Sequence, residues 1–282
     1  MLKQRVITAI VLLLILLPAL FYSESGPFCA IALFLIAAGA WEWARLNGYQ
    51  AATSISCGLA CAGLCGSLWS LGALDQAMPQ LWRIVGALWV LLGALVLRGG
   101  VAAWSGHHRL TRLIAGIVAL GLAWLAVAQA KVIGTNFLLS VLVLVWVADI
   151  GAYFAGRAFG GRLIRQKLAA GISPGKSWEG VLGGMAGVLI VGFIWRWADA
   201  VLMVPVPSFY TQLGLNGAWF LFVALVFMAA MSVVGDLFES LVKRSAGVKD
   251  SSGLLPGHGG VLDRIDALLP ALPLAMMLYS IQ

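Results

Sequence analysis

Long apolar stretches alternate with short polar ones along the whole chain, and this pattern predicts membrane-crossing helices. A hydrocarbon core of about 30 Å takes roughly 20 helical residues to cross, and the apolar stretches have about that length. The first stretch begins with basic residues and is followed by further spans, so we interpret it as a retained helix rather than a cleaved signal. About nine spans are expected, at residues 1–22, 27–45, 52–73, 80–98, 110–130, 137–157, 178–197, 217–239 and 264–281.

Composition agrees with a helical membrane protein. Of the 282 residues, 62% are apolar and 10% are charged, and the mean hydropathy is +0.99. An open sheet is too costly in lipid, and the alternating pattern of an outer-membrane barrel is absent. The expected fold is therefore all-α and polytopic. Residues 1–130 are interpreted as scaffold helices and residues 131–282 as a catalytic region, with cytoplasmic loops at 157–178 and 240–264.

The placement of the basic residues predicts the orientation. If the N-terminus is cytoplasmic, 15 of the 18 Lys and Arg residues lie on the cytoplasmic side, and only Arg83, Lys131 and Arg196 lie outside. This bias follows the positive-inside rule and predicts an N-in, C-out topology for an odd number of spans. The net charge of +7 does not indicate nucleic acid as a partner, because no basic groove with interleaved aromatic residues is present.

The most polar stretch of the chain runs from Ser240 to Asp266 and lies next to apolar spans. Charge at the edge of a bilayer is costly unless it is paired, hydrated or bound to a ligand, so such a stretch predicts a functional site. Its titratable side chains are Lys243, Arg244, Lys249, Asp250, His258, Asp263, Arg264 and Asp266. On the proposed topology, the site lies at the cytoplasmic edge of the membrane.

A polar stripe with helical spacing ends the eighth span, and it consists of Asp236, Glu239, Ser240 and Lys243. Two carboxylates one turn apart, facing a loop with further aspartates, favour a hard cation such as Mg²⁺ over a solvated helix end. Asp263 directly follows a glycine turn and is a further candidate ligand. Asp266 is either a ligand or a cap of the last helix. His258 lies between glycines and is either part of the site or a structural hydrogen-bonding group.

Two upstream segments add candidate groups. In the sixth span, Asp149 shares a helix face with Tyr153 and Arg157, so it either lines a wet cavity or forms a structural ion pair with Arg157. Before the seventh span, Ser173-Pro-Gly-Lys-Ser-Trp-Glu-Gly ends like a P-loop, but the glycine spacing fails and no strand precedes it. Lys176 and Ser177 at a helix start can still hold phosphate.

Together these groups favour metal-assisted phosphoryl or nucleotidyl transfer to a lipid. Two alternatives belong to other classes. A CDP-alcohol phosphotransferase would carry a paired-aspartate helix motif, which is missing here. A secondary transporter for an anionic substrate would place its charges near the bilayer midplane, in two repeated halves.

The run S-x-x-K-R-x4-K-D…H-G-G-x-x-D-R-x-D between Ser240 and Asp266 resembles the signature of phosphatidate cytidylyltransferases, also called CDP-diacylglycerol synthases. The segments beginning at Asp149 and Ser173 resemble the same family, although Ser177 stands where Thr is common. The resemblance implies that CTP and phosphatidate react to CDP-diacylglycerol and pyrophosphate. It also implies Mg²⁺ dependence, the bacterial inner membrane and a homodimer among membrane lipids, and it leaves open a second cation such as K⁺.

The resemblance and the residue pattern together suggest a role for each candidate. The expected metal ligands are Asp236, Glu239, Asp263 and Asp266. The expected catalytic groups are Asp236, Lys243, Lys249, Asp250, His258 and Asp263. The expected substrate contacts are Asp149, Tyr153, Ser173, Lys176, Ser177, Arg244 and Arg264. In this hypothesis the phosphatidate phosphate attacks the α-phosphorus of CTP in line, and pyrophosphate leaves.

Overall fold

The computed structural model describes residues 2–281, and every regular element in that range is a helix apart from one isolated bridge. The predicted all-α class is confirmed. In chain order the helices are α1 (Leu2–Phe21), α2 (Gly26–Leu46), α3 (Ala51–Ser70), α4 (Pro79–Gly106), α5 (Arg109–Ile133), α6 (Thr135–Phe159), α7 (Trp178–Leu202), α8 (Phe209–Gly214), α9 (Ala218–Ser245), α10 (Leu262–Ile265) and α11 (Leu268–Tyr279).

Eight of these helices, α1 to α7 and α9, are long and apolar enough to cross a membrane. They correspond to the first eight predicted spans. Helix α4 continues to Gly106, beyond the predicted end at residue 98. It is kinked at Gly100, whose φ of 69° favours glycine because it has no Cβ. The short helix α8 lies in the connection before α9.

The ninth predicted span, residues 264–281, forms two short helices, α10 and α11, instead of one long one. Pro270 has no backbone N–H, so it cannot donate to the carbonyl of Asp266, and the helical hydrogen bonding is interrupted there. The 12 residues of α11 are about 18 Å long, which is short for a bilayer core. Helix α11 packs against α4, α5 and α9, and most of its side chains are buried.

Helices α6 and α7 pack very closely, and this contact positions one wall of the site. A Cβ at Gly184 would lie 2.6 Å from the carbonyl oxygen of Ala148, and one at Gly151 would lie 3.0 Å from that of Gly183. Small residues allow helix backbones to approach in this way inside a membrane. The start of α7 is thereby held beside the C-terminal half of α6, which carries Asp149.

An aromatic cluster fixes the rotation of α9 against the N-terminal helices. The Phe238 ring stacks on Trp43 of α2 with centroids 5.9 Å apart, and it packs nearly perpendicular to Trp104 of α4 with centroids 5.4 Å apart. Aromatic pairs in these geometries stabilise beyond the area that they bury. Because Phe238 is directed towards α2 and α4, the neighbouring Asp236 and Glu239 are turned towards the polar groups of the site.

The N-terminal end of α1 lies on the same face of the helical bundle as residues 246–261, which we call the signature loop. The Nε of Arg5 donates to the carbonyl of Gly257 at 2.9 Å, and the hydroxyl of Thr8 donates to that of Pro256 at 2.9 Å. The loop before α7 also meets this face, since the Nε of Arg244 donates to the carbonyl of Ile172 at 3.4 Å. The charge pattern predicted that these segments share one side.

Candidate active site

A cleft of about 590 Å³ lies between α6, α7 and α9. Glycines form part of its wall, and polar side chains from three separate segments point into it. Those side chains are Asp149, Tyr153, Arg157, Lys176, Ser177 and Asp236. The structure therefore brings together five of the predicted catalytic or substrate-binding residues with Arg157, in a space large enough for a small ligand.

An ion pair joins the loop before α7 to α9 inside this cleft. The Nζ of Lys176 lies 2.5 Å from Oδ2 of Asp236, and both side chains are partly exposed. The other oxygen of Asp236 accepts a hydrogen bond from the Ser240 hydroxyl at 3.3 Å. A partly exposed pair of this kind contributes little to stability. Its place in the cleft makes it a candidate for exchange with charged ligand groups.

Asp149 is exposed and lines the cleft, near Asp236, whose like charge repels it, and near Lys176, which attracts it. The predicted alternative, an ion pair between Asp149 and Arg157, is wrong for this structure. The Arg157 guanidinium instead donates to the hydroxyl of Tyr153 at 3.1 Å. Asp149 therefore adds a carboxyl group to the cleft, beside Lys176 and Asp236.

A second polar cluster lies deeper, around Lys243 of α9. Its Nζ is 2.5 Å from Oε2 of Glu239 and 2.6 Å from Oδ1 of Asp263. The Oδ2 of Asp263 accepts from the Ser251 amide at 2.9 Å, the Ser251 hydroxyl at 2.8 Å and the Gly260 amide at 2.7 Å. Burial raises the pKa of Asp263, but these donors and Lys243 outweigh it, so the pKa is lowered from its ordinary value.

Two glycines shape the signature loop around His258. Gly257 and Gly259 have φ values of 76° and 84°, which few other residues adopt. The guanidinium of Arg264 donates twice to the carbonyl of His258, at 2.6 and 3.0 Å. In this structure the predicted substrate-binding side chain of Arg264 therefore binds the signature loop itself. The imidazole Nδ1 of His258 is buried without a hydrogen-bond partner. A role of this ring in the reaction stays a prediction.

Ser177 directly precedes α7 and caps it. Its hydroxyl oxygen accepts from the Gly180 amide at 3.2 Å, so the predicted phosphate contact has a structural role here. Ser173 contributes its carbonyl to the turn before α7, where it accepts from the Lys176 amide at 3.2 Å. These contacts bring Lys176 to the mouth of the cleft.

The remaining predicted residues lie around the two clusters. Arg244 is exposed and donates to the carbonyl of Val248 at 3.3 Å, while Lys249 and Asp250 are exposed on the signature loop. The carboxylate of Asp266 accepts from the Ala267 amide at 2.7 Å, but the last helix has Ala267 at its N-cap position and no side-chain cap hydrogen bond, so the predicted capping role is wrong. The charge of Asp236 also acts on Asp266, so its other predicted role stays open.

Glu42 of α2 is part of the site, although no prediction included it. It is fully buried and accepts hydrogen bonds from the Ser252 hydroxyl at 2.5 Å and the amides of Val261 and Leu262 at 2.9 and 2.8 Å. The N-terminal spans carry no motif, so the prediction left them as scaffold. A signal was present, because an acidic residue inside an apolar span indicates a site by default.

Glu179 was also missed as an individual residue. It is buried at the start of α7, and its Oε1 accepts from the amides of Gly161, Leu163 and Ile164 at 3.1, 3.0 and 2.9 Å. One carboxylate oxygen thus organises the first turn of the loop between α6 and α7. The acidic position is visible in the sequence, but its partners lie 15 to 18 residues upstream.

The four predicted magnesium ligands do not form one ligand set in the part of the chain that the structure describes, so the metal assignment stays a prediction. The carboxylates of Asp236 and Asp263 pair with different lysines, and no group of three or more His, Cys, Asp or Glu side chains within residues 2–281 is arranged to hold a metal ion. Mg²⁺ often uses only one or two carboxylates together with waters and substrate phosphates. Glu239 adds a buried oxygen, Oε1, without a hydrogen-bond partner.

Eight helices are long and apolar enough to cross a membrane, and carboxylates and lysines from separate segments meet between them. This arrangement is that of a helical membrane protein with a charged site. The chain matches the model of the cytidylyltransferase family over residues 3–282. It belongs to that family, as the resemblance in residues 240–266 predicted.

Two named relatives match nearly the full chain, and a third matches about half of it. A phosphatidate cytidylyltransferase of Pseudomonas aeruginosa is 43% identical over 286 residues, which cover 99% of this chain and 98% of the relative. One of Haemophilus influenzae is 39% identical over 303 residues and covers 99% of both chains. One of Thermotoga maritima is 46% identical over 144 residues, which make up 51% of this chain and 48% of the relative.

Proposed function

We propose that this protein transfers the cytidylyl group of CTP to phosphatidate, so that CDP-diacylglycerol and pyrophosphate form in phospholipid biosynthesis. One observation carries the proposal: in a chain of the cytidylyltransferase family, a cleft joins Lys176 and Asp236 at an end of the helical bundle. An oxygen of the phosphatidate phosphate attacks the α-phosphorus of CTP. The bond from that phosphorus to the bridging oxygen breaks, and pyrophosphate leaves with the electron pair.

The basic side chains neutralise phosphate charge in this proposal. Lys176 and Arg157 line the cleft, and a triphosphate entering it competes with Asp236 for the ammonium group of Lys176. Lys243 lies between the carboxylates of Glu239 and Asp263, and its positive charge compensates their negative charge. Fixed charges of this kind stabilise the transferring phosphoryl group without reorganisation during the reaction.

We infer that the enzyme depends on Mg²⁺ and that Asp236 and Asp263 are its ligands, with Glu239 and Asp266 nearby. When bound, the ion neutralises charge on the phosphates of the substrate. The support is the chemistry of the donor set, since hard carboxylate oxygens from α9 and α10 lie within two adjoining clusters. A second cation such as K⁺ belongs to the same proposal.

We also propose an N-in topology in the bacterial inner membrane, with the cleft open to the cytoplasm. The charge bias of the loops supports this orientation, and so do the contacts of Arg5 and Thr8 with the signature loop, because they require one side for both. Labelling a Lys249→Cys variant that lacks the native cysteines tests it. A membrane-impermeant maleimide should react only after the cells are opened, and reaction in intact spheroplasts would contradict the proposal.

The reaction is tested by measuring pyrophosphate release from CTP by the purified protein in detergent. We expect release only when phosphatidate and Mg²⁺ are both present, and we expect Asp263→Asn to abolish it while the protein stays folded. Release without phosphatidate would indicate a different acceptor. An unchanged rate in Asp263→Asn would remove that residue from the proposed metal site. Light scattering of the same sample tests the predicted homodimer.

A further inference from the structure

Glu42 is buried without a charged partner. Its side chain is 0% exposed, and it forms no ion pair among residues 2–281. It is held by the hydroxyl of Ser252 and the amides of Val261 and Leu262 instead. A buried carboxylate is very costly unless hydrogen bonds replace its hydration. Those donors all belong to the signature loop or to the residue that directly follows it.

The donors lie on both sides of the loop tip. Ser251 and Ser252 precede it, and Val261 and Leu262 follow it, while residues 253–260 form the tip between them. One carboxylate from α2 therefore holds the two ends of this segment together. Asp263 comes next in the chain, so the same contacts also fix the position of its backbone.

The hydroxyl of Ser251 links Glu42 directly to Asp263. Its oxygen lies 3.2 Å from Oε2 of Glu42 and 2.8 Å from Oδ2 of Asp263. A hydroxyl has one proton, so the two carboxylates share one donor. The amides of Ser251 and Gly260 also donate to Oδ2 of Asp263. Movement of the loop ends away from Glu42 therefore changes the hydrogen bonds of Asp263.

The surface of α2 is shaped to receive the end of the loop. A Cβ on Gly260 would collide with Oε1 of Glu42 and with the hydroxyl of Ser251. One turn before Glu42, a Cβ at Gly39 would lie 3.4 Å from the side chain of Leu262. Gly260 thus permits the close approach of the loop end to α2, while Gly39 lies in ordinary contact distance of α10.

We propose that Glu42 is a positioning residue for the cytidylyl transfer. By holding both ends of residues 251–262, it sets the position of the Asp263 carboxylate, so a helix of the N-terminal region is part of the active-site machinery. The inference rests on the role of Asp263 in the proposed function. Misplacing a reacting or ligating group by about 1 Å can cost roughly a hundredfold in rate.

The first test is steady-state kinetics of Glu42→Gln in the full-length protein in detergent. The amide keeps the size of the side chain and removes its charge. We expect kcat to fall roughly 10- to 100-fold, as for other residues that orient a ligand, with the KM for CTP nearly unchanged. The matched control is Glu24→Gln, an exposed carboxylate in the connection between α1 and α2, which should behave as wild type. A folded Glu42→Gln protein with wild-type kcat would overturn the inference.

The second test does not use activity. Hydrogen exchange of the peptide spanning residues 251–265 should be about tenfold faster or more in Glu42→Gln, because the amides of Val261 and Leu262 lose a charged acceptor. Exchange of α7 should stay unchanged. Equal protection of the loop in variant and wild type would contradict a positioning role, whatever the rate of turnover.

A gentler variant covers the case in which Glu42→Gln does not fold. Ser252→Ala removes one hydroxyl donor to Glu42 and should lower kcat less, with faster exchange of the same peptide. A Ser252→Ala variant with wild-type kcat and wild-type hydrogen exchange of this peptide would contradict the inference. If Asp263→Asn is inactive while Glu42→Gln and Ser252→Ala are as active as wild type, only the inference fails. If Asp263→Asn stays active, the proposed role of Asp263 fails instead.

Discussion

The ammonium nitrogen of Lys243 lies 2.6 Å from Oδ1 of Asp263, and this contact joins the end of α9 to α10 across the signature loop. The same nitrogen lies 2.5 Å from Glu239 one turn earlier. One lysine therefore compensates two carboxylates from different segments. Both the metal proposal and the position of the loop depend on this charge balance.

Removing Lys243 should unfold or strongly destabilise the protein. In Lys243→Met, Glu239 and Asp263 would remain buried without a cation, and breaking a buried pair in this way costs about 3–5 kcal/mol. The measurement is thermal or denaturant unfolding in detergent. Lys249→Met is the control, because Lys249 is exposed and has no ion pair among the described residues. Equal stability of both variants would show that Lys243 is not the compensating charge.

Asp236→Asn should separate activity from stability. The pair of Asp236 with Lys176 is partly exposed, so its loss should cost only about 0–1 kcal/mol. We expect turnover to fall at least roughly a hundredfold, since the variant removes a proposed metal ligand. Asp75→Asn, an exposed carboxylate in the connection between α3 and α4, should leave turnover unchanged. Activity within about twofold of wild type in Asp236→Asn would contradict its role.

Gly260→Ala should disrupt the contact between the signature loop and α2. The new methyl group would collide with Glu42 and with Ser251, so the loop end must move. We expect turnover to drop roughly tenfold or more and the melting temperature to fall. Gly253→Ala is a matched control, because a Cβ there meets nothing within 4 Å and its φ lies outside the left-handed range. Similar losses in the two variants would argue against a specific clash.

Glu179→Ala should loosen the loop between α6 and α7. The amides of Gly161, Leu163 and Ile164 would lose their common acceptor. Trypsin should then cleave faster after Arg162 and Arg165 than in the wild-type protein, because local opening exposes the chain. The protein in detergent is sampled over time by mass spectrometry, with Glu24→Ala as the control. An unchanged cleavage rate would mean that other contacts hold the loop.

Much of the architecture was predictable because lipid leaves the backbone few choices. The first eight spans correspond to the eight long helices, since each apolar run of sufficient length must satisfy its own hydrogen bonds. The last segment was harder. Pro270 and Pro273 are visible in the chain, but only the packing of α11 against α4, α5 and α9 shows that a short, buried helix is accommodated there.

The sequence predicted several side chains that the structure brings together, but it missed Glu42 and Glu179 and did not predict the pairings. Spacing along one helix was enough to group Asp236, Glu239 and Lys243, because positions three and four apart share a face. The partner of Asp236 is Lys176, 60 residues upstream, and that contact depends on how α6, α7 and α9 pack. The expected partner of Asp149, Arg157, binds Tyr153 instead.

The sequence by itself determined the class of fold, the eight long apolar helices and the family, because hydropathy and a long polar motif are local properties of the chain. Tertiary structure alone decided which acid meets which base. Glu42 reaches Leu262 across 220 residues, and no local pattern encodes such a contact. Since a buried carboxylate is stable only where the fold supplies its donors, the site is completed by helices far apart in the chain.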